Sequence, residues 1–175
     1  MIEKRDRRNL ILILLAIVGT VCVLRACGVL GVRSGKVAQT AQKSMQISRS
    51  WDCAQNWTPR LSVGVFYDYD VAPLKGTYYC YVNRPGFSFG YFAQSRGKIT
   101  QDDGIVRVDC GAYGTAYFSL NAQEAVKVIR DDGVKPKTQK IPQYHPFALT
   151  SLKRDCRFRF YDAGGKELSV SDLKK

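Results

Sequence analysis

The chain has 175 residues, 45% of them hydrophobic and 24% charged, with a formal net charge of +12. That apolar share excludes disorder over most of the length and leaves room for one domain of ordinary size. The charge suggests nucleic acid only until it is divided: residues 1–49 carry nine Lys/Arg against two Asp/Glu, and residues 50–175 carry eighteen against thirteen. More than half of the excess lies beside an apolar run, where basic residues set topology and meet anionic headgroups, so no nucleic-acid partner is expected.

Leu10 to Leu24 is fifteen uninterrupted apolar or small residues, the length of a signal-peptide core. Carried past Arg25 to Val32 the run reaches 23 residues, enough for a membrane-spanning helix at about 1.5 Å per residue. Arg25 then falls near the far end, where its long side chain reaches the interface. Lys4, Arg5, Arg7 and Arg8 precede the run, and Arg33, Lys36 and Lys43 follow it, a narrow balance that favours a cytoplasmic N-terminus. Two cleavage readings stand beside the anchor. Leu24–Cys27, "LRAC", with Gly28 after it, resembles a bacterial lipobox and implies acylation of Cys27, although Arg25 departs from the pattern. Ala26–Gly28, "ACG", also suits a small-residue cleavage site.

The expected organisation is a cytoplasmic basic tail (1–9), a transmembrane signal-anchor (10–32), a stalk or linker (33–50) and a periplasmic or extracellular β-rich domain (51–175). In the linker, Val37, Ala41 and Met45 recur four apart, one face of a helix that continues outward as a stalk. Ser34 and Gly35 favour a break or a polar tether instead.

From Leu61 the period switches to two. "LSVGVFYDY" places Leu61, Val63, Val65 and Tyr67 on one face of a half-buried strand. "TYYCYV" sets Tyr78, Cys80 and Val82 against Tyr79 and Tyr81, and "NRPG" turns the chain into "FSFGYF" as a hairpin. "IVRVDC" groups Val106, Val108 and Cys110; "TAYFSL" groups Ala116, Phe118 and Leu120. "NAQEAVKVIRDDG" has a capping-box spacing from Asn121 to Glu124 and a stop at Gly133, which predicts a short helix. "VKPKTQKIPQYHPF", with three prolines, predicts an extended loop. "CRFRFYDAGGKELSV" sets Cys156, Phe158 and Phe160 opposite Arg157, Arg159 and Tyr161, then turns at "DAGG". The fold class is therefore mainly β (α+β): a transmembrane helix, then one antiparallel sheet or sandwich-like domain of about seven strands with a short helix.

Cys53, Cys80, Cys110 and Cys156 lie beyond the apolar run. An even number there favours disulfides, and of three possible pairings Cys80–Cys110 with Cys53–Cys156 is preferred. Zinc-ligand spacing is absent, so neither metal nor cofactor is expected.

Catalytic signals are weak. His145 is the single histidine and reads as a satisfied loop residue; no catalytic residue is assigned and no enzyme is expected. Asp68 and Asp70 share a strand face and read as a solvated polar row, while "QDDG" and "RDDG" read as turn or cap acids. The best surface is basic: Lys135, Lys137, Lys140, Lys153, Arg154, Arg157 and Arg159, with Tyr79 and Tyr81 as stacking area. An N-terminal hydrophobic helix leading into a disulfide-closed sheet is similar in outline to type IV pilins and pseudopilins. The glycine cleavage site and early glutamate of that family are missing, so the resemblance is architectural and carries no function. The leading expectation is a structural or protein-interaction component of an envelope assembly, with the membrane and other envelope proteins or further copies of itself as partners. The alternative is a module binding a polyanion, an acidic polymer or glycan.

Overall fold

The computed structural model describes residues 4–27, 29–84, 90–151 and 156–173. Helix α1, Lys4–Ala26, carries the apolar run, and none of its spanning window is buried by the rest of the chain. It is one N-terminal helix long and apolar enough to cross a membrane. Asp6–Ala26 is 21 residues, about 31 Å at the helical rise, close to the hydrocarbon thickness of a bilayer. The expected extension to Val32 does not occur. Cys27 and Val29 donate back to the carbonyls of Val23 and Leu24 at 2.8 and 2.9 Å, closing the last turn with Arg25 inside it. Val32 then exchanges two 2.8 Å backbone hydrogen bonds with Tyr91. That bridge satisfies backbone groups in the β-domain that a longer helix would have kept for itself.

The segment expected as a stalk folds back instead. Helix α2, Val37–Ser44, presents the Val37/Ala41/Met45 face read from the sequence, but lays it on the sheet rather than extending it outward. Val37 is 1% and Ala41 0% exposed, among Phe66, Tyr79, Tyr81 and Tyr91. Burying Val37 alone contributes roughly 1.5–3 kcal/mol.

Twelve strands among the described residues form three four-stranded sheets. The first is β1 (Asp52–Trp57), β2 (Leu61–Tyr67), β3 (Lys75–Asn83) and β4 (Tyr91–Thr100), antiparallel in that order. The second orders β12 (Val170–Asp172), β5 (Ile105–Asp109), β6 (Thr115–Ser119) and β9 (Phe147–Thr150), with β12 parallel to β5. The third orders β11 (Glu167–Leu168), β10 (Arg157–Tyr161), β7 (Lys127–Asp131) and β8 (Lys137–Lys140). The layers stack as α2, first sheet, second sheet, third sheet, so the first two sheets are apolar on both faces.

The core between the first two sheets holds Leu61, Val63, Val65 and Tyr67 with Tyr78, Cys80 and Val82, the faces expected from the alternation, against Val108, Ala116 and Phe118. Strand β2 is buried on both faces rather than half-buried, because α2 covers Phe66. Two glycines make this packing possible: a Cβ at Gly64 would stand 2.6 Å from the Tyr79 ring, and one at Gly97 2.7 Å from Tyr78. The other core sets Ile105, Tyr117, Phe147 and Leu149 against Val128, Phe158 and Phe160.

The helix expected over 121–133 is a turn followed by β7. Asn121 and Glu124 have φ of 60° and 54°, outside the right-handed helical region. The Asn121 side chain is a buried clamp that accepts from Ala125 N at 2.8 Å and donates to Ala125 O and Pro142 O. Val126 then donates to Tyr161 O, and β-branched Val128 packs on Phe160 in the extended form that such residues favour. The expected loop from Val134 contains β8, four exposed residues paired to β7, and the chain beyond Pro146 enters β9.

Candidate interaction surfaces

The outer face of the third sheet gathers part of the basic cluster expected from sequence. On β10, Phe158 and Phe160 turn into the core, which sends Arg157 and Arg159 outward. Register places Lys127 opposite Tyr161 and Lys140 opposite Lys127, and puts Arg159 across from Ile129 and Arg157 across from Asp131. Four cations, Lys127, Lys140, Arg157 and Arg159, thus share one face with Asp131. Lys127 Nζ stands 4.6 Å from the Tyr161 ring centroid, a cation–π contact, and Tyr161 Oη donates to Glu167 at 3.4 Å. Lys137 falls on the opposite side, in register with Arg130, and Lys135 precedes the strand. Lys153 and Arg154 lie outside the described residues. The expected aromatic partners of this surface, Tyr79 and Tyr81, are buried beneath α2 in the first sheet. Tyr161 is the aromatic residue here, and Lys127 joins the face because its segment is strand β7 and not the helix that the capping-box spacing predicts.

A second surface lies along β4, the outermost strand of the first sheet. Asn83 N donates to Arg60 O, so odd-numbered β3 residues bond to β2 and even-numbered ones to β4. Followed through the bulge between Cys80 and Tyr81, this parity turns the backbone groups of Ala93, Arg96 and Lys98 away from the sheet. Tyr91 is bridged by Val32, and Thr100 N is taken by Asp103 Oδ2 at 2.6 Å. Beside the edge lies a groove of about 1180 Å³, lined by Ser44 of α2 and Met45 just after it, Gln94 and Arg96 of β4, and Arg107 and Asp172 of the second sheet. Arg107 and Asp172 form a bidentate ion pair across β5 and β12. Arg96 reaches Ser44 O at 3.5 Å and ties the edge to α2.

No pair of cysteines is joined. Cys80 and Cys110 nevertheless meet in one core, with a hydrogen bond between their side chains; burial first, and that bond second, push the Cys80 thiol well up. The expected Cys53–Cys156 pair is not brought together, because Cys53 packs under α2 whereas Cys156 packs between the second and third sheets. Burial pushes the Cys53 thiol up to about 11, despite the Tyr79 hydroxyl beside it. That sulfur contact is weak and leaves the buried Tyr79 hydroxyl without a well-formed hydrogen bond. Cys27 is exposed at the end of α1.

No family model, curated protein or solved structure matches the chain.

His145 is exposed, its Nδ1 3.2 Å from Tyr69 Oη, in keeping with a satisfied loop histidine. Strand β2 ends at Tyr67, so Asp68 and Asp70 do not share a strand face; Asp68 accepts from Asp70 N at 3.0 Å and forms a turn. Asp103 caps Thr100, and Asp131 accepts from Gly133 N, the turn and cap roles expected of both acidic pairs. Among the described residues no group of three His, Cys, Asp or Glu is placed to hold a metal ion.

Proposed function

We propose that the chain is a single-pass membrane protein whose N-terminus is cytoplasmic and whose β-domain, on the far side, works by binding another protein of the envelope. The observation that carries the reading is the outer edge of β4, which among the described residues pairs only through the Val32–Tyr91 bridge. Outward-facing backbone groups at Ala93, Arg96 and Lys98 beside a large groove suit the addition of an extended segment from a partner, with main-chain hydrogen bonds giving affinity and the groove giving side-chain selectivity. Arg96 and Lys98 decorate the edge with positive charge, which disfavours pairing of two such edges and favours an acidic partner segment. In an oxidising compartment the neighbouring Cys80 and Cys110 thiols are expected to form one disulfide by exchange with an oxidised disulfide donor, which takes up the two electrons and two protons.

The test is a photo-crosslinking residue at Ala93 in the full chain, with and without Lys98→Pro. Proline at position 98 removes an outward N–H and leaves the β3 ladder intact. The expected result is a discrete adduct with another envelope protein that Lys98→Pro abolishes. An adduct that survives the substitution contradicts edge binding.

A second reading, recognition of an acidic polymer or glycan, rests on the four cations of the third sheet. Charge reversal at Arg157 and Arg159 that leaves binding to acidic polymers unchanged removes it. Acylation of Cys27, the lipoprotein form of the alternative, requires cleavage before that residue and is settled by the mass of the mature chain.

A further inference from the structure

The linker after α1 is too short to hold the β-domain clear of a membrane. Val29 is still hydrogen-bonded to Leu24 of the helix, and Val32 is already hydrogen-bonded to Tyr91 of β4. Three residues of extended chain span about 10 Å at most. Whichever way the domain tilts, the end of the first sheet that carries Tyr91 lies within that distance of the end of α1.

Register shows what else occupies that end. Strand β1 finishes there at Trp57 and β2 begins there at Leu61, while β3 finishes at Asn83 and β4 begins at Tyr91. Tyr91 Oη donates to Thr58 O at 2.7 Å, and Asn83 Nδ2 donates to Pro59 O at 3.1 Å, so the β1–β2 turn is fastened to the bridged strand. The turn exposes Trp57, 63% accessible, which is unusual for so large an apolar side chain. Arg60 is exposed on the same turn, Arg84 at the end of β3 with its guanidinium 5.4 Å from the Phe92 ring centroid, and Arg33 directly after the bridging Val32. The segments 29–36, 57–60 and 83–84 contain no acidic residue.

We infer that this end of the domain docks on the headgroup layer of the bilayer that α1 crosses, with Trp57 entering the interface and Arg33, Arg60 and Arg84 pairing with anionic lipid phosphates. Indole at the headgroup level and arginine on phosphate are the side chains that the membrane interface favours. The inference rests on the anchor reading. It adds that the domain lies on the membrane instead of swinging from it, which holds the β4 edge in a fixed orientation.

The experiment uses the full chain with Trp51→Phe, so that Trp57 is the sole tryptophan, reconstituted into vesicles of mixed phosphatidylglycerol and phosphatidylcholine. Some vesicles carry bromine on the acyl chain next to the headgroup and others at the chain end. Docking predicts a blue-shifted Trp57 emission quenched more strongly by the shallow label, and loss of both effects in Arg60→Glu/Arg84→Glu and in vesicles of phosphatidylcholine alone. Chains that float with the vesicles while Trp57 emits as in water and escapes quenching overturn the docking and leave the anchor standing. Chains that do not float with the vesicles overturn both.

Discussion

Helix α1 leaves Leu10, Leu14 and Val18 each more than half exposed, whereas the eight-residue α2 leaves Val37 and Ala41 almost no contact with solvent. Both carry apolar residues, and the difference is in what covers them. A contiguous apolar surface as long as α1 requires a cover from outside the chain, and in the proposed anchor that cover is lipid. The apolar stripe of α2 is covered by Phe66, Tyr79 and Tyr81 of its own domain. In the proposed anchor α1 serves attachment, whereas α2 serves the stability of the domain, and between them Val32 leaves only a short tether.

The largest effect expected is from removing each helix. A chain beginning at Val29 is no longer an integral membrane protein, keeping only a peripheral, salt-sensitive association with anionic headgroups, and retains the melting temperature of the domain. A chain beginning at Ser48 also uncovers Phe66, Tyr79 and Tyr81, and aggregates or melts far lower. Fractionation together with thermal unfolding in detergent checks both, and equal melting of the two truncations would break the comparison.

Next comes one substitution placed in each helix. Ala41 is 0% exposed against the sheet, so Ala41→Leu overpacks the contact and costs about 1–3 kcal/mol. Ala16→Leu, on the exposed helix, leaves unfolding of the domain unchanged. Denaturant midpoints of the two variants, measured side by side, read the difference.

The smallest effect concerns pH. The Cys53 thiol stands at about 11 in the native chain against its ordinary 9.0, chiefly through burial. Between those values the unfolded chain has released its proton and the native chain still holds it. Stability supplied by this group is therefore complete below pH 9, falls as pH rises through that window, and is gone above about 11. Cys53→Ala should shrink the alkaline loss of stability over that range, as followed by denaturant unfolding at several pH values.

Much of the interior was legible because alternation is a direct consequence of one strand face meeting a core. The grouping of Tyr78, Cys80 and Val82 apart from Tyr79 and Tyr81 is the division between two cores, and Phe158 and Phe160 face inward as their spacing implies. Strand β1 gave no such signal: "DCAQNW" is a half-exposed edge strand, and pairing with β2 rather than apolar periodicity holds it. The same is true of β8, a lysine-rich strand exposed throughout. At Asn121 a local pattern misled, because the side chain that resembles a helix cap clamps Ala125 and Pro142 in a tight turn. For α2 the apolar face was readable and its destination was not, since spacing alone does not say what a face will meet. Of the basic surface, Arg157, Arg159 and Lys140 were legible, whereas Lys127 joins them only through strand register.

The central claim is that α1 stays attached to the domain as an anchor. The measurement that addresses it most directly is the intact mass of the mature protein extracted from membranes of the cells that make it. The account predicts the mass of the uncleaved, unacylated chain, lighter by the two hydrogens of a Cys80–Cys110 disulfide. A chain that begins at Cys27, with or without an acyl group, or shortly after it would contradict the anchor.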